Sequence, residues 1–176
     1  MKEEKIEVLI SENEIRKIVK ELGKKITEDY VGKSPILVST LKGGGFFIAD
    51  LAREIHLDVS IDYMETSSYR NSIESSENIK ITKDLSKSVF GKDVIIVEDI
   101  IDTGFNIEAI RKLMKAKGAR SVRVCVLLDK PSRRRVSVKV DYVGLKIPDL
   151  FVVGYGMDYA EKYRNLPYIG IVKNSK

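Results

Sequence analysis

The sequence predicts a single α/β domain, covering residues 1–176, built on a mainly parallel sheet. The 176 residues are 43% hydrophobic and 32% charged, a composition typical of one globular domain. Apolar segments such as 94–97 are continuous rather than alternating, as in strands that are buried on both faces. Stretches with helical periodicity separate these segments. This order favours strand–helix–strand units with helices on both sides of the sheet.

The first half of the chain begins with a helix. Ser11 and Glu14 form a capping-box pattern that is followed by apolar residues at helical spacing, which predicts a helix over about 12–29. The apolar run 36–41 then predicts a strand, and it ends in a glycine-rich turn before a second helical pattern. A third apolar run at 57–64 predicts the next strand.

Residues 65–80 interrupt this alternation. Serine, asparagine and charged residues dominate the segment, and no apolar periodicity is present. It is interpreted either as a long loop or as a loose hairpin. Long loops inside compact domains are uncommon and often act as lids, so we expect a lid over about 65–82.

The second half of the chain returns to alternating elements. A helix is predicted from about 106 to 117, and strands are predicted at 94–97, 122–128, 140–145 and 151–153.

Charge and cysteine content narrow the possible functions. Lysine and arginine total 31 against 26 acidic residues, and the resulting net charge of +5 is a mild excess that favours anionic ligands. The arginine run Arg133–Arg135 is predicted to be a solvated loop rather than a nucleic-acid surface. Cys125 is the only cysteine and lies in an apolar strand, so it is predicted to be a buried thiol. The absence of a long apolar run predicts a cytoplasmic protein without a membrane partner.

The strongest functional signal lies at the end of the strand predicted at 94–97. Glu98 and Asp99 follow the strand, at the sheet edge where parallel α/β folds bind their ligands. Two adjacent carboxylates are costly to desolvate unless a cation or a hydroxyl group meets them. Residues 102–106 then turn into a helix, which directs several backbone amides towards one point. The pattern predicts a phosphate cradle beside two acids. The alternative is a pair of acids that only caps the next helix.

Segment 94–110 resembles the phosphoribosyl-diphosphate signature of the type I phosphoribosyltransferases, whose two acids hold the ribose hydroxyls and whose turn binds the 5′-phosphate. Three further segments resemble the hypoxanthine-guanine phosphoribosyltransferase family within that class. Residues 41–44 resemble its pyrophosphate loop, Ser68 and Tyr69 resemble the Ser-Tyr pair of its closing loop, and residues 140–168 resemble its purine-binding end.

This resemblance implies the type I phosphoribosyltransferase fold, with a small purine-binding hood formed by the chain ends, mainly about 145–176. It implies a purine salvage enzyme that transfers the 5-phosphoribosyl group to N9 of hypoxanthine, and also of guanine. The implied partners are phosphoribosyl diphosphate, a 6-oxopurine, the purine nucleotide, pyrophosphate and Mg²⁺, in a homodimer or homotetramer. The alternative is a regulator on the same fold that senses nucleotides and binds nucleic acid.

The resemblance also assigns roles to individual residues. Asp102 is placed beside purine N7, where it can accept a proton. Lys130 donates to the 6-oxo group, and Arg164 reaches the pyrophosphate; these three form the predicted catalytic set. The predicted phosphoribosyl-diphosphate ligands are Leu41, Lys42, Gly43, Glu98, Asp99, Asp102, Thr103, Gly104, Phe105 and Asn106.

For the base, the resemblance implies that Phe151 stacks on the purine and that the main chain of Val152 contacts its Watson-Crick edge. From the apolar pattern alone, both side chains are predicted to lie in the core. Asp158 is the implied magnesium ligand beside the base, and Glu98 and Asp99 are further candidate metal ligands. Three positions depart from the family pattern. Asn106 stands where its members usually carry threonine or serine, Phe105 where the residue is often polar or basic, and Leu150 where some members have a lysine near the base.

Overall fold

The computed structural model of the chain describes residues 5–68 and 79–173. Within them, the elements in chain order are β1 (Lys5–Ile10), α1 (Glu12–Asp29), β2 (Ile36–Thr40), α2 (Gly44–Glu54), β3 (Ser60–Ser68), β4 (Ile79–Lys83), β5 (Asp93–Ile101), α3 (Phe105–Ala116), β6 (Ser121–Asp129), β7 (Tyr142–Lys146), β8 (Val152–Val153) and β9 (Ile169–Lys173). In this part of the chain, no helix combines the length and the apolar character that a membrane span requires.

The central sheet has six strands in the order β4-β3-β2-β5-β6-β7. All neighbouring pairs are parallel except β3 and β4, which are antiparallel. Alternate residues of β5 point to opposite faces: Ile95 and Val97 pack with α1 and α2, whereas Val94 and Ile96 pack with α3. The continuous apolar runs therefore arise because helices cover both faces, and the predicted α/β fold is confirmed.

The first helix has the predicted bounds. The Ser11 hydroxyl accepts a hydrogen bond from the Glu14 amide at 3.3 Å, and the Glu14 carboxylate accepts one from the Ser11 amide at 2.8 Å. This capping box satisfies two amides that a helix start otherwise leaves unpaired. The apolar stripe behind it packs on the sheet, with Ile15 and Ile26 both buried.

A second, smaller sheet is built from both ends of the chain. Strand β9 pairs antiparallel with β1 on one side and with β8 on the other. This sheet corresponds to the hood that the family resemblance implies. It joins the core under α1 and α2 through Ile10, Val152 and Ile169.

Strand β5 is longer than its apolar run. The sequence analysis ended it before Glu98 and Asp99, but the strand continues to Ile101. The parallel ladder with β6 extends to the pair Ile101 and Asp129, and backbone hydrogen bonds do not depend on side-chain polarity. The expectation that the two acids follow the strand is therefore wrong: Glu98 and Asp99 are themselves residues of β5, near its carboxyl end.

The last residues of β3 and the strand β4 form the base of a hairpin. Residues Glu65–Ser68 pair antiparallel with Ile79–Lys83, which selects the loose hairpin from the two alternatives at this base. Tyr69, predicted to belong to the lid, lies outside the described residues.

Candidate active site

A cavity of about 320 Å³ opens between the carboxyl ends of β2, β5 and β6 and the hood. This is the edge at which open parallel sheets bind their ligands, and the volume is typical of a small-molecule pocket. The predicted site residues that line it are Gly43, Asp99, Asp102, Lys130, Phe151, Val152, Asp158 and Arg164.

A larger groove of about 600 Å³ lies elsewhere, between α1, α2 and the hood. Its walls include Glu12, Phe46 and Tyr155, and none of the predicted site residues lines it in the described chain. Eight of the predicted site residues therefore line the smaller cavity, whereas Leu41, Lys42, Glu98 and residues 103–106 do not line it.

The two adjacent acids of β5 have different environments. Asp99 lines the cavity, whereas Glu98 is only 4% exposed and lies against β2. The Glu98 carboxylate accepts hydrogen bonds from the Thr40 amide at 3.0 Å and from the Thr40 hydroxyl at 2.7 Å. Burial, and secondly the charge of Asp99, raise the pKa of Glu98 to about 8. Burial also raises the pKa of Asp99, to about 6. At neutral pH, Asp99 is therefore the charged member of the pair.

We expect a Glu98→Gln variant to lose less stability than the wild type as the pH rises. Folded Glu98 keeps its proton up to a pKa of about 8, whereas its ordinary pKa is 4.5. Between these values the unfolded chain binds fewer protons, so the unfolding free energy of the wild type falls as the pH rises, by an amount on the order of a few kcal/mol. Glutamine does not titrate. Urea unfolding at pH 5 and pH 8 measures the difference, with Glu28→Gln on the surface of α1 as the control. Equal pH dependence in Glu98→Gln and the wild type would contradict the assignment.

The turn of residues 102–106 leads directly into α3. Gly104 is the helix N-cap with φ +90°, and no side chain of the described residues caps the helix there, so the first amides of α3 can bind an anion. A Cβ at Gly104 would lie 3.1 Å from the Arg134 side chain. The left-handed conformation and this close packing both require glycine. Asn106 accepts a hydrogen bond from the Thr66 hydroxyl at 3.1 Å, which connects the turn to β3.

The arginine run lies against this turn. The prediction of a solvated loop is confirmed for Arg133 and Arg135, which are exposed, and is wrong for Arg134, whose side chain is 18% exposed. A short 3-10 turn over Pro131–Arg133 brings Arg133 and Arg134 to acids at the strand ends. Arg133 Nε donates to Asp102 Oδ1 at 3.0 Å, and the Arg134 guanidinium is paired with Asp129.

Lys130 follows β6 and is 7% exposed. Its side chain lines the cavity, and no described residue accepts a hydrogen bond from its ammonium group. The ammonium nitrogen itself is accessible from the cavity. Because lysine can only donate, the site is suited to a ligand that presents an acceptor at this point.

Two apolar residues of the hood differ in exposure. Val152 is buried, as predicted from its apolar pattern, but Phe151 is 59% exposed and lines the cavity. The Phe151 ring contacts Tyr159 edge to face, with centroids 5.7 Å apart. The prediction of a core position for Phe151 is therefore wrong: its face is available to a planar ligand.

The pyrophosphate-loop residues lie at the opposite wall. The Leu41–Lys42 peptide is cis. A Cβ at Gly43 would lie 2.1 Å from an Asp99 carboxylate oxygen, so the loop can approach this acid only through a glycine.

The two predicted pyrophosphate cations meet at the hood. Lys42 Nζ lies 2.7 Å from Glu161 Oε2, and Arg164 Nη2 lies 3.1 Å from Glu161 Oε1. Arg164 also donates to Asp158 at 2.8 Å and to the Gly156 carbonyl at 2.7 Å. The structure thus brings Lys42, Asp158 and Arg164 together around Glu161.

The comparisons with known proteins agree with this geometry. The phosphoribosyl transferase domain family matches residues 9–160. A hypoxanthine-guanine phosphoribosyltransferase from Bacillus subtilis (strain 168) is 50% identical over 173 residues, which cover 98% of this chain and 96% of the relative. The chain belongs to the hypoxanthine-guanine phosphoribosyltransferase family.

Solved structures of this family have the same fold. A hypoxanthine phosphoribosyltransferase from Staphylococcus aureus matches with a TM-score of 0.91 and 48% identity, over 95% of this chain and 91% of that one. A hypoxanthine-guanine phosphoribosyltransferase from Bacillus anthracis matches with a TM-score of 0.92 and 44% identity, over 97% and 100% of the two chains. The fold class implied by the resemblance is thereby confirmed.

The donor set of this family member is compatible with magnesium bound together with substrate. The described residues contain no group of three or more histidine, cysteine or acidic side chains placed to hold a metal by themselves. Asp99 and Asp158 both line the cavity, however, and magnesium takes its remaining ligands from phosphate oxygens and water. Glu98 is directed to Thr40 instead.

Sequence reasoning missed three members of the site: Thr40, Arg133 and Glu161. Thr40 ends a strand that begins with three apolar residues, and Glu161 stands three residues before Arg164, so each left a weak local signal. The contact between Arg133 and Asp102 joins residues 31 apart in the sequence and left none. Of the two lid residues, Ser68 ends β3, and Tyr69 is outside the described part of the chain.

Proposed function

We propose that the protein transfers the 5-phosphoribosyl group of phosphoribosyl diphosphate to N9 of hypoxanthine, and also of guanine, and releases pyrophosphate. The observation that supports this most directly is the Lys130 side chain, which is 7% exposed, lines the cavity and has no described acceptor for its ammonium group. A 6-oxopurine provides that acceptor. The exposed face of Phe151 is suited to the purine ring, and the Val152 backbone lies beside it.

Asp102 is proposed to take the proton from purine N7 as the new bond forms. Its Oδ1 accepts from Arg133, which leaves Oδ2 for the base. The family's oxocarbenium-like transition state needs a base held close to C1′ and a stabilised leaving group.

The remaining proposed ligands surround the other half of the substrate. Asp99 is proposed to hold the ribose hydroxyls, with Glu98 behind it, bonded to Thr40, in place of the second direct contact that the sequence suggested. Residues 102–106 are proposed to hold the 5′-phosphate. Lys42 and Arg164 are proposed to bind the diphosphate. Magnesium, held by substrate oxygens with Asp158 and Asp99, would add positive charge to the leaving group.

The deciding experiment is a turnover assay with labelled hypoxanthine, phosphoribosyl diphosphate and magnesium. We expect labelled nucleotide to accumulate with catalytic turnover, whereas a regulator would bind phosphoribosyl diphosphate without turnover. The regulatory alternative needs a basic surface, and Arg133 and Arg134, from the only arginine run, are paired with acids. Absence of nucleotide from folded protein at saturating substrate would refute the proposed activity.

Three further features of the enzyme are proposed. The arm formed by β3 and β4 is proposed to carry a lid containing Ser68 and Tyr69 that excludes water during the reaction. A homodimer or homotetramer is proposed as the assembly, which light scattering would establish. A cytoplasmic location is proposed because the single cysteine, Cys125, is buried and serves no disulfide.

A further inference from the structure

Glu161 is an acid placed among the cations of the pyrophosphate site. Its two carboxylate oxygens contact different partners, Lys42 Nζ at 2.7 Å and Arg164 Nη2 at 3.1 Å. Lys42 belongs to the loop after β2 and Glu161 to the hood, 119 residues apart in the sequence. The bridge therefore connects the two walls of the site.

We propose that the Glu161 carboxylate is an internal competitor of pyrophosphate, which occupies Lys42 and Arg164 before substrate binds and reclaims them when pyrophosphate leaves. This inference rests on the proposed function, in which the same two cations receive the diphosphate. A carboxylate resembles one phosphate group in charge and in its acceptor oxygens. It can therefore satisfy both cations, but with fewer acceptors than pyrophosphate has.

The bridge is weak enough to open. The side chains of Lys42 and Glu161 are each 66% exposed, and exposed ion pairs contribute little to stability. Arg164, which is 21% exposed, keeps its contacts with Asp158 and the Gly156 carbonyl when Glu161 moves away. When the bridge opens, Lys42 is therefore released, whereas Arg164 stays in position.

The local backbone keeps Glu161 close to its partners. The Glu161 amide donates to Asp158 Oδ2 at 2.8 Å, which closes a tight turn in the hood. Glu161 also has a φ of +64°, in the left-handed region that non-glycine residues seldom occupy. The side chain therefore starts from a fixed point beside Arg164, and a substitution that preserves the backbone tests the carboxylate alone.

The bridge should lower the apparent affinity for pyrophosphate. A ligand that binds only the open form has its affinity reduced by the open fraction, so a bridge closed in about 70–90% of molecules weakens binding about three- to tenfold. Glu161→Gln removes the charge and should recover that factor. Glu161→Asp keeps the charge but is one methylene shorter and cannot span both cations, so it should recover part of it.

Titration calorimetry with inorganic pyrophosphate at fixed magnesium chloride tests the proposal. We expect about three- to tenfold tighter binding in Glu161→Gln, an intermediate value in Glu161→Asp, and wild-type affinity in Glu28→Gln, which removes an equally exposed carboxylate from α1. Tighter pyrophosphate binding in Glu161→Gln together with wild-type affinity in Glu161→Asp would show that only the negative charge of residue 161 matters. That result would overturn the bridge. Unchanged or weaker binding in Glu161→Gln would also overturn it.

A double-mutant cycle separates competition for Lys42 from a general effect of the acid. In a Lys42→Met background, Glu161→Gln should give a clearly smaller gain in pyrophosphate affinity than it gives in the wild type, because one cation of the bridge is gone. An undiminished gain would overturn the proposal. The proposed activity is tested separately by turnover of hypoxanthine in the wild type. If turnover is absent, the pyrophosphate affinities of the Glu161 variants still test the bridge. If the affinities contradict the bridge, the proposed activity is unaffected.

Discussion

Hypoxanthine is expected to be a substrate and adenine to be nearly inert, with catalytic efficiencies that differ by a factor of about 10⁴ or more. Lys130 is buried at the cavity and can only donate. The 6-oxo group of hypoxanthine accepts this hydrogen bond, whereas the 6-amino group of adenine would place two donors against each other. Initial rates of nucleotide formation with the two bases measure the ratio.

Replacing Lys130 by glutamine should lower 6-oxopurine turnover and part of the discrimination, because the amide can accept as well as donate. Lys24→Gln, an exposed change on α1, is the control and should leave both rates unchanged. Comparable use of adenine and hypoxanthine by the wild type would refute the role given to Lys130.

The Asp102→Asn variant should turn over about 10² to 10⁴ times more slowly than the wild type. The amide keeps the size of the side chain and can still accept from Arg133 Nε, but it cannot take the proton from the base. Binding of phosphoribosyl diphosphate should remain close to that of the wild type, which titration calorimetry measures.

Asp149→Asn provides a matched control for Asp102→Asn, because Asp149 is a second carboxylate near Arg133, at 3.8 Å. It should retain wild-type turnover. Full activity in Asp102→Asn would show that the purine proton leaves by another route.

Much of the fold was predictable because the central strands β5 and β6 contain continuous apolar runs and the first helix carries a complete capping box. The layered α/β architecture follows from those local patterns. The strand β1 was not predicted. Only one of its six residues is buried, and β1 is held by pairing with β9 at the other end of the chain, a non-local contact that no local pattern encodes.

The site was predictable where a motif fixes local geometry and less so where burial decides the chemistry. The turn at Gly104 has a strict backbone requirement, so sequence indicates it. Glu98 and Asp99 look equivalent in the sequence, yet one is directed to Thr40 and the other lines the cavity. Phe151 and Val152 likewise share an apolar character and differ only in what the hood leaves uncovered.

The most direct measurement of the central claim is the stoichiometry and connectivity of the product. Wild-type protein is incubated with nitrogen-15-labelled hypoxanthine, phosphoribosyl diphosphate and magnesium, and the reaction is followed by nuclear magnetic resonance. We expect one inosine monophosphate and one pyrophosphate per hypoxanthine consumed, with the new bond between N9 and C1′. Hypoxanthine that stays unchanged in the presence of folded protein, or pyrophosphate released without a nucleotide, would contradict the account.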